Sequence, residues 1–342
     1  MVEAARTNDR GLAPVLAYPA PAGICKIGEF VLQSGVRLGS VDVGYQLIGP
    51  SEAPVIAVLG GISADRFAAQ TATPKRGWWA DQIGPGQALD TRKYRVLCWD
   101  FLGGNGLTTG ARSHGLEGRA FPDVTTLDQA HLLAALLGRL GIAKLHAFLG
   151  ASYGGMVALQ LGVHLPELVT RLVVISAAHR SAPMAVALRT LQRQLVEQSL
   201  VSGDGLAGLA LARTLAMATY RTPEEFTERF GHPGEEPLSN PDRSPVWAYL
   251  SARGAAYIEQ MHPRAFLCLS RSIDLHHLKP EHIQVPVQLI AVRQDQLVPV
   301  ALIEELASTI VSPCKMLHLD SLYGHDAFLK ESIFFNKIFA AL

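Results

Sequence analysis

The sequence predicts an α/β protein with a mostly parallel central sheet flanked by helices. Short apolar runs, which are typical of buried parallel strands, alternate with segments whose apolar residues recur at helical spacing. This alternation of strands and helices favours a parallel sheet. From about residue 180 to residue 280 the sequence shows helical stretches and no clear strand pattern. Because open α/β sheets bind ligands at the carboxyl edge of their strands, we expect this insertion to form a helical lid over that edge.

The elements follow in chain order from their local patterns. Residues 25–48 show two stretches of period-2 alternation and predict an antiparallel hairpin. The segment 126–141 has apolar residues at helical spacing and ends at a glycine, which predicts a helix. Four runs predict buried strands, namely VIAVLG (55–60), YRVLCWD (94–100), KLHAFLG (144–150) and RLVVISA (171–177). Two later runs, VPVQLIAV (285–292) and KMLHL (315–319), also predict strands.

These patterns divide the chain into three parts. Residues 1–24, which are rich in alanine and proline, are expected to form a flexible leader. Residues 25–180 and 281–342 together form the predicted core. Residues 181–280 form the predicted helical lid domain, inserted before the late strands.

Composition excludes several classes of function. The 342 residues include 30 Lys or Arg and 30 Asp or Glu, so the formal charge is zero. This balance argues against nucleic-acid or anionic-membrane binding, which needs a basic excess. The four cysteines lie far apart and form no CxxC pair, which argues against a zinc site or a dithiol redox site. The N-terminus lacks the apolar core of a signal peptide, and no apolar run approaches the length of about 20 residues that spans a bilayer. We therefore expect a soluble cytoplasmic protein.

A candidate nucleophile follows the third buried strand. Residues 150–154 read Gly-Ala-Ser-Tyr-Gly and fit G-x-S-x-G, the strand-turn-helix elbow that exposes a serine hydroxyl above the sheet. The helix that follows leaves the backbone N–H of Tyr153 free to donate to an oxyanion. The alternative is an ordinary glycine-rich turn with a solvent-facing serine. The position between a strand and a helix favours Ser152 as a nucleophile.

A serine nucleophile needs a base, and the base needs a carboxylate to orient it. In this architecture both partners lie on loops after late strands, in the order Ser, Asp, His. Asp295 follows the strand 285–292, and His325 lies between the last strand and the last helix. Asp274 and Asp320 are the rivals of Asp295. The first lies in the predicted lid, and the second lies too close to the histidine along the chain to occupy a separate loop.

A second oxyanion donor is expected in the loop after strand 55–60. That loop begins Gly60-Gly61-Ile62, and glycine allows the backbone to turn its N–H groups inward. Gly61 and Ile62 are both candidate donors. The alternative is a tight turn that binds no ligand.

Several segments together resemble one enzyme family. They are GWWADQIGPGQALDTRKYRV (77–96), FPDVTTLDQ (121–129), GASYGGMVAL (150–159), RTLQRQLV (189–196), RTPEEFTERF (221–230) and YGHDAFL (323–329). In this order they are similar to segments of the homoserine O-acyltransferases, enzymes of methionine biosynthesis in the α/β-hydrolase superfamily. The resemblance implies a Ser-His-Asp triad of Ser152, His325 and Asp295, with L-homoserine and an acyl-CoA as substrates. It implies no metal and no other cofactor, and a homodimer formed through the lid.

The resemblance also assigns Arg193 and Asp326 to homoserine binding. Homoserine is a zwitterion, so an arginine can bind its carboxylate in a bidentate fork and a carboxylate can pair with its ammonium. Without the resemblance, Arg193 reads as a solvated helix residue. Asp326 then reads as a carboxylate favoured by a helix N-terminus.

The identity of the acyl donor depends on the loop after strand 55–60. The segment LGGISADRF (59–67) departs from the usual histidine-bearing family segment and most resembles members that use succinyl-CoA. Arg66 is a candidate partner for the succinyl carboxylate, and an exposed arginine without this role is the alternative. The expected reaction is therefore a ping-pong succinyl transfer to homoserine. The alternatives are acetyl-CoA as donor, serine as acceptor, an esterase or thioesterase of the same fold, or a non-catalytic binding protein.

Overall fold

The computed structural model describes residues 22–70, 76–113, 121–231 and 244–342. Most of the expected leader, residues 1–21, lies outside the described residues. The strands are β1 Ala22–Val31, β2 Arg37–Ile48, β3 Val55–Leu59, β4 Ile83–Gly84, β5 Leu89–Asp90, β6 Arg95–Trp99, β7 Ala147–Ala151, β8 Leu172–Ile175, β9 Val287–Val292 and β10 Cys314–Leu319. The strand β1 thus begins three residues before the expected start of the core.

The helices complete the alternating pattern. They are α1 Thr126–Leu140, α2 Tyr153–His164, α3 Pro183–Ser202, α4 Leu206–Tyr220, α5 Pro223–Phe230, α6 Pro245–Ile258, α7 Pro263–Asp274, α8 Val300–Thr309, α9 Ala327–Lys330 and α10 Ser332–Phe339. Capping residues in the sequence determine where α1 begins and ends. Thr125 and Asp128 form a reciprocal capping box at its start, and Gly141 in the left-handed conformation ends it.

Eight of the strands in the described residues form the central sheet, in the order β1-β2-β6-β3-β7-β8-β9-β10. The pairs from β6 to β10 are parallel, and β1 and β2 join antiparallel at one edge. Every residue of β3, β7 and β8 is buried, as expected for a sheet covered on both faces. The predicted mostly parallel sheet with flanking helices is confirmed. The loops that follow β3, β7, β9 and β10 all lie at the carboxyl edge of this sheet.

In the described residues between β8 and β9 there are five helices, α3 to α7. They have an apolar cluster of their own, which includes Val196, Leu209, Tyr257 and Phe266. Residues 232–243, between α5 and α6, lie outside the described residues. Within the described ranges, no helix is long and apolar enough to cross a membrane.

Candidate active site

Ser152 occupies the sharp turn between β7 and α2. Its backbone has φ 54° and ψ −121°, a left-handed φ that costs energy for a residue with a side chain. A Cβ at Gly150 would lie 2.2 Å from the carbonyl oxygen of Gly154, and a Cβ at Gly154 would lie 2.4 Å from that of Leu59. Neither glycine can carry a side chain without a backbone shift. The G-x-S-x-G spacing is therefore a steric requirement of this turn.

A chain of hydrogen bonds connects Ser152, His325 and Asp295. Oγ of Ser152 lies 2.8 Å from Nε2 of His325, and Nδ1 of His325 lies 2.7 Å from Oδ2 of Asp295. An ionised carboxylate can only accept, so Nδ1 carries the proton and Nε2 is left to accept from the serine hydroxyl. The structure thus brings together the three residues that the sequence singled out for a triad.

Asp295 and His325 lie on loops that follow neighbouring parallel strands. Asp295 follows β9, and its Oδ1 accepts hydrogen bonds from the backbone N–H groups of Leu297 and Val298 at 2.9 and 3.0 Å. His325 lies after β10 in the short 3-10 turn Gly324–Asp326. Neighbouring parallel strands end at the same edge of the sheet, and this brings the two loops within hydrogen-bond distance.

The rival acids Asp274 and Asp320 lie elsewhere, and so does His318, the histidine of strand β10. Asp274 ends α7 and forms ion pairs with Arg189 and Arg193 of α3. Asp320 is exposed, with Oδ2 3.5 Å from Nε of Arg293, and His318 lies 3.4 Å from Glu304. In the described part of the chain, no group of His, Cys, Asp or Glu side chains could hold a metal ion.

The environment of His325 raises its pKa. Burial is the largest single influence and by itself lowers the pKa, but the influences that raise it, led by the charge of Asp295 and its hydrogen bond, prevail in sum. The charge of Asp326 raises the pKa further, while that of Arg189 lowers it. A histidine whose protonated form is stabilised in this way is suited to accept a proton from a hydroxyl.

Backbone N–H groups from two loops lie beside Ser152. Tyr153 is the first residue of α2, and the first N–H groups of a helix have no partner within the helix. Gly61 lies so close that a Cβ there would be 3.9 Å from Oγ of Ser152. Gly61 and Ile62 both line the cavity above the serine, so both stay candidates for the second oxyanion donor.

A cavity of about 1060 Å³, counted with its open mouth, lies above Ser152 and His325. Its wall is largely apolar and includes Trp78, Met156, Leu188, Phe266, Ile273 and Phe328. Arg189 on α3, Arg213 on α4 and Asp326 beside His325 bring charge to the same wall. The cavity is therefore suited to a ligand with apolar segments and charged ends.

Two tryptophans of the GWW segment hold the loops around the cavity. Trp78 lines the cavity, and its Nε1 donates to the carbonyl of Asp65 at 2.8 Å, in the loop after β3. Trp79 is buried, and its Nε1 donates to the carbonyl of Phe328 at 2.9 Å, three residues beyond His325. The segment that the sequence singled out thus fixes both the oxyanion loop and the histidine loop.

Arg213, on α4, lines the cavity without a carboxylate partner in the described residues. Its guanidinium lies over the rings of Tyr257 and Tyr220, with 4.6 and 5.4 Å to the ring centroids. Such cation–π contacts hold a cation in place without neutralising it. The charge of Arg213 is therefore available to an anionic ligand.

Asp326 lines the same cavity and lies next to His325 in the chain. Its Oδ2 lies 3.3 Å from Nη2 of Arg221, and Nη1 of Arg221 lies 3.3 Å from Glu225. One arginine is thus shared between two carboxylates. Glu225 also lies 4.0 Å from Nη1 of Arg229, so the two carboxylates and two arginines balance in charge. Asp326 can still meet a cationic group of a ligand, because its carboxylate lines the cavity.

The structure does not place Arg193 on the cavity wall, contrary to expectation. Its Nη1 lies 2.6 Å from Oδ2 of Asp274 and contacts the carbonyl and hydroxyl oxygens of Ser270 at 3.2 and 3.1 Å. Its Nη2 donates to Thr190 at 3.0 Å. Because these donors are engaged, Arg193 is not placed to bind a substrate carboxylate. Arg189, one helical turn earlier, lines the cavity instead.

Arg66 is also engaged away from the cavity. Its Nη1 lies 2.7 Å from Oδ2 of Asp100, and its backbone N–H donates to Oδ1 at 2.8 Å. The Asp100 side chain is fully buried. This ion pair joins the loop after β3 to the loop after β6 and neutralises the charge of Arg66. The expected contact between Arg66 and a donor carboxylate is thus not supported by the structure.

Comparison with known proteins identifies the family. The family model for the alpha/beta hydrolase fold matches residues 74–332. A homoserine O-succinyltransferase from Xanthomonas campestris pv. campestris is 43% identical over 316 residues, which cover 92% of this chain and 82% of that protein. The chain belongs to the homoserine O-acyltransferase family. A homoserine O-acetyltransferase from Symbiobacterium thermophilum is 33% identical over 341 residues, with 88% of each protein covered. The resemblance and the α/β-hydrolase fold predicted from the sequence are confirmed.

Solved structures show how widely this fold is used. A homoserine O-acetyltransferase from Bacillus anthracis has a TM-score of 0.86 at 22% identity, covering 94% of this chain and 97% of that one. Esterase E22 has a TM-score of 0.85 at 23% identity, covering 94% of this chain and 99% of that one. At these identities the likeness shows the fold alone. Because the fold carries both transferases and hydrolases, the activity of this homoserine O-acyltransferase family member has to be argued from its cavity.

Sequence reasoning missed two charged residues of the cavity, Arg189 and Arg213. Arg189 lies four residues before Arg193, a spacing that places both on one face of a helix. That spacing could have indicated Arg189 as a second candidate beside Arg193. Arg213 lies in a largely apolar stretch of α4 with no motif around it, and the helical pattern alone does not show which element it meets.

Proposed function

We propose that the protein is a homoserine O-succinyltransferase, which transfers the succinyl group of succinyl-CoA to the hydroxyl of L-homoserine. The observation that carries the proposal is the pairing of the Ser152–His325–Asp295 chain with two ligand-binding charges, Asp326 and Arg213, in one cavity. The 43% identity to a homoserine O-succinyltransferase supports the choice of substrates.

The first half-reaction acylates Ser152. Its Oγ attacks the thioester carbonyl carbon while Nε2 of His325 takes the hydroxyl proton, 2.8 Å away. The N–H of Tyr153 and that of Gly61 or Ile62 stabilise the oxyanion. The C–S bond then breaks, and the proton on His325 passes to the departing sulfur. Free CoA and a succinyl ester of the serine result.

The second half-reaction moves the acyl group to the acceptor. His325 takes the proton of the homoserine hydroxyl, whose oxygen attacks the serine ester. The bond from the acyl carbon to Oγ breaks, and His325 returns the proton to Ser152. Asp295 holds the same imidazole tautomer through both steps, since its Oδ2 accepts from Nδ1. The reaction is therefore ping-pong.

Two charges orient homoserine. Asp326, beside the base, pairs with the ammonium, and Arg213 binds the carboxylate from the lid. Arg213 replaces Arg193 in this role because its charge faces the cavity unpaired in the described residues, while the donors of Arg193 are engaged. The shared ion pair with Arg221 holds the Asp326 carboxylate in place.

An assay of CoA release tests the proposal. The protein is incubated with succinyl-CoA with and without L-homoserine, and thiol release is measured together with O-succinylhomoserine by mass spectrometry. We expect sustained CoA release that requires homoserine. Release that is equal without homoserine would identify a thioesterase, and product formed only from acetyl-CoA or only from L-serine would identify the corresponding alternative. Absence of all turnover would point to a binding protein.

A cytoplasmic homodimer is also part of the proposal. Large apolar side chains are exposed on or beside the lid helices at Met184, Leu191, Val201, Leu211, Trp247 and Leu275. Exposed apolar patches favour association between protein surfaces. The four cysteines are free thiols, which suits a reducing compartment. Light scattering in solution is expected to give twice the protomer mass, and a single protomer mass would contradict the dimer.

A further inference from the structure

We infer, on the basis of the proposed function, that Tyr257 is a positioning residue that holds two parts of the site at once. Its hydroxyl fixes the turn that carries the candidate oxyanion donors, and its ring supports Arg213, which the proposed function assigns to the carboxylate of homoserine. Tyr257 is a buried residue of α6, outside the set of described residues that lines the cavity. It therefore acts on the reaction through these two neighbours.

The loop after β3 makes a tight turn beside Ser152. The backbone N–H of Ala64 donates to the carbonyl of Gly61 at 2.9 Å, which makes Ile62 and Ser63 the central residues of the turn. Within the described residues, the N–H groups of Gly61 and Ile62 donate to no acceptor, so both are free for an oxyanion. The direction of these N–H groups depends on how the turn is held.

Tyr257 holds this turn from α6. The hydroxyl oxygens of Ser63 and Tyr257 lie 3.0 Å apart, a hydrogen bond in which either can donate. Ile62 packs against the apolar cluster to which Tyr257 belongs. Tyr257 is only 7% exposed, so its own packing keeps the hydroxyl in place. Donors that are held in position before the reaction stabilise an oxyanion without a cost of reorganisation.

Other hydrogen bonds hold the same loop on either side of the turn. Before the turn, the carbonyl of Gly60 accepts from the N–H of Gly154 at 3.0 Å. After it, the carbonyl of Asp65 accepts from Nε1 of Trp78 at 2.8 Å. Among the described residues, the side-chain hydrogen bond of the turn itself is the one to Tyr257. Loss of that hydroxyl should therefore loosen the turn while both ends of the loop stay in place.

The ring of Tyr257 supports Arg213. The guanidinium lies 4.6 Å from the centroid of this ring, against 5.4 Å for the ring of Tyr220. Arg213 has no carboxylate partner in the described residues, so these ring contacts determine where its charge lies. Burial raises the pKa of Tyr257 against the lowering effect of Arg213. The hydroxyl thus keeps its proton and can serve the hydrogen bond to Ser63.

The two contacts use different parts of one side chain, so two substitutions separate them. Tyr257→Phe removes the hydroxyl and keeps the ring, while Tyr257→Leu removes both. Acylation of Ser152 is measured by rapid mixing, as CoA release without homoserine. Steady-state assays then give kcat and the KM for homoserine.

We expect Tyr257→Phe to lower the acylation rate and kcat about two- to tenfold, the range for one hydrogen bond. Both half-reactions use the same oxyanion donors, so they should slow together and leave the KM for homoserine unchanged. Tyr257→Leu should add a rise in that KM of about two- to thirtyfold, the range for one cation–π contact. A residue that only stabilised the fold would not divide its effects between kcat and KM in this way.

Ser63→Ala tests the same hydrogen bond from the other partner. It should slow acylation as Tyr257→Phe does, and the double variant should lose nothing further, because the same contact is absent in each. Both substitutions keep the apolar packing, so the fold is expected to persist, and thermal unfolding checks this. Tyr249→Phe is the matched control. Tyr249 also lies on α6, with its ring against Phe230 and its hydroxyl without a hydrogen bond in the described residues, and this variant should retain wild-type kinetics.

Each other outcome overturns the inference. Wild-type acylation in Tyr257→Phe would show that the hydroxyl does not hold the oxyanion turn, and additive losses in the double variant would show that the two hydroxyls act separately. An unchanged KM in Tyr257→Leu would remove the ring as the support of Arg213. An equal loss in Tyr249→Phe would point to a general effect on α6. Failure of the proposed function is distinct, because the wild-type protein would then form no acyl-homoserine, while acylation of Ser152 by p-nitrophenyl acetate would still test the hydroxyl.

Discussion

Replacing Asp295 with asparagine tests the triad at the atom that orients the base. The carboxylate makes three contacts: Oδ1 accepts from the N–H groups of Leu297 and Val298, and Oδ2 accepts from Nδ1 of His325 at 2.7 Å. In Asp295→Asn the amide oxygen can keep both backbone hydrogen bonds. The amide nitrogen is then directed at Nδ1 of the histidine.

That geometry sets the size of the effect. An amide NH₂ facing Nδ1–H places a donor against a donor, so the imidazole is expected to shift its proton to Nε2. His325 can then no longer accept the proton of Ser152. Loss of the correct tautomer in a serine triad costs about 10⁴-fold in kcat, or about 5.4 kcal/mol of transition-state stabilisation. The oxyanion donors are untouched, so a slow residual reaction should persist.

The pH profile provides a second readout of the same variant. In the wild-type protein Asp295 raises the pKa of His325 against the lowering effect of burial. Activity needs the neutral base, so it is gained as pH rises through this pKa. Without the carboxylate the effect of burial prevails and the pKa falls. The acidic limb of kcat/KM for Asp295→Asn should therefore move to lower pH.

Steady-state CoA release across pH, with circular dichroism as a folding check, measures both effects. Asp320→Asn is the matched control, because Asp320 is an exposed acid near the same histidine and a rival in the sequence. It should keep wild-type kcat and the wild-type pH profile. If Asp295→Asn stays within tenfold of wild type, or if Asp320→Asn shows the large loss instead, the assignment of the carboxylate is wrong.

Three other substitutions test the elbow and the acceptor site. Ser152→Ala should abolish CoA release with the fold retained, because the covalent acceptor is gone, and more than a few per cent of wild-type activity would contradict this. Arg213→Leu should raise the KM for homoserine about ten- to a hundred-fold by removing one charge-assisted contact, and an unchanged KM in steady-state assays would remove Arg213 from the acceptor site. Gly154→Ala should lower the free energy of unfolding by about 1–3 kcal/mol or more, because its Cβ would lie 2.4 Å from the carbonyl oxygen of Leu59. Denaturant titration against Gly138→Ala, where a Cβ meets no atom within 4 Å, measures this difference, and equal stabilities would refute the steric argument.

The core of the fold was predictable because its signals are local. Each of the predicted strands overlaps an observed strand, and the hairpin at 25–48 corresponds to β1 and β2. Strand ends were less predictable, because the extent of pairing depends on the neighbouring strand. The run 144–150 begins to pair regularly only at Ala147, after an isolated bridge between Leu145 and Val169. The two-residue strands β4 and β5 have no pattern long enough to detect.

The triad geometry was predictable for a related reason. Ser152, Asp295 and His325 each follow a strand, and the order of parallel strands determines which loops meet. The order of the strands does not determine where the side chains of Arg189 and Arg193 lie. Arg189 and Arg193 share one helix face, and only the contacts with Asp274, Ser270 and Thr190 decide which of them reaches the cavity. Those contacts come from α7 and α3 packing together, which no local pattern shows.

The charged residues of the cavity bear on how the proposed transfer can prevail over hydrolysis. The elbow, the base and the oxyanion loop would serve water and homoserine equally well as attacking groups. A bound acceptor gains because orientation converts a bimolecular step into an effectively unimolecular one, worth effective concentrations of about 10⁵ M or more. Asp326 lies one residue from the base, and Arg213 reaches the same cavity from α4. Together they can fix both charged ends of homoserine and leave its hydroxyl beside Nε2 of His325. Water offers no charge to either residue, so the selectivity for the acceptor depends on keeping both charges in place.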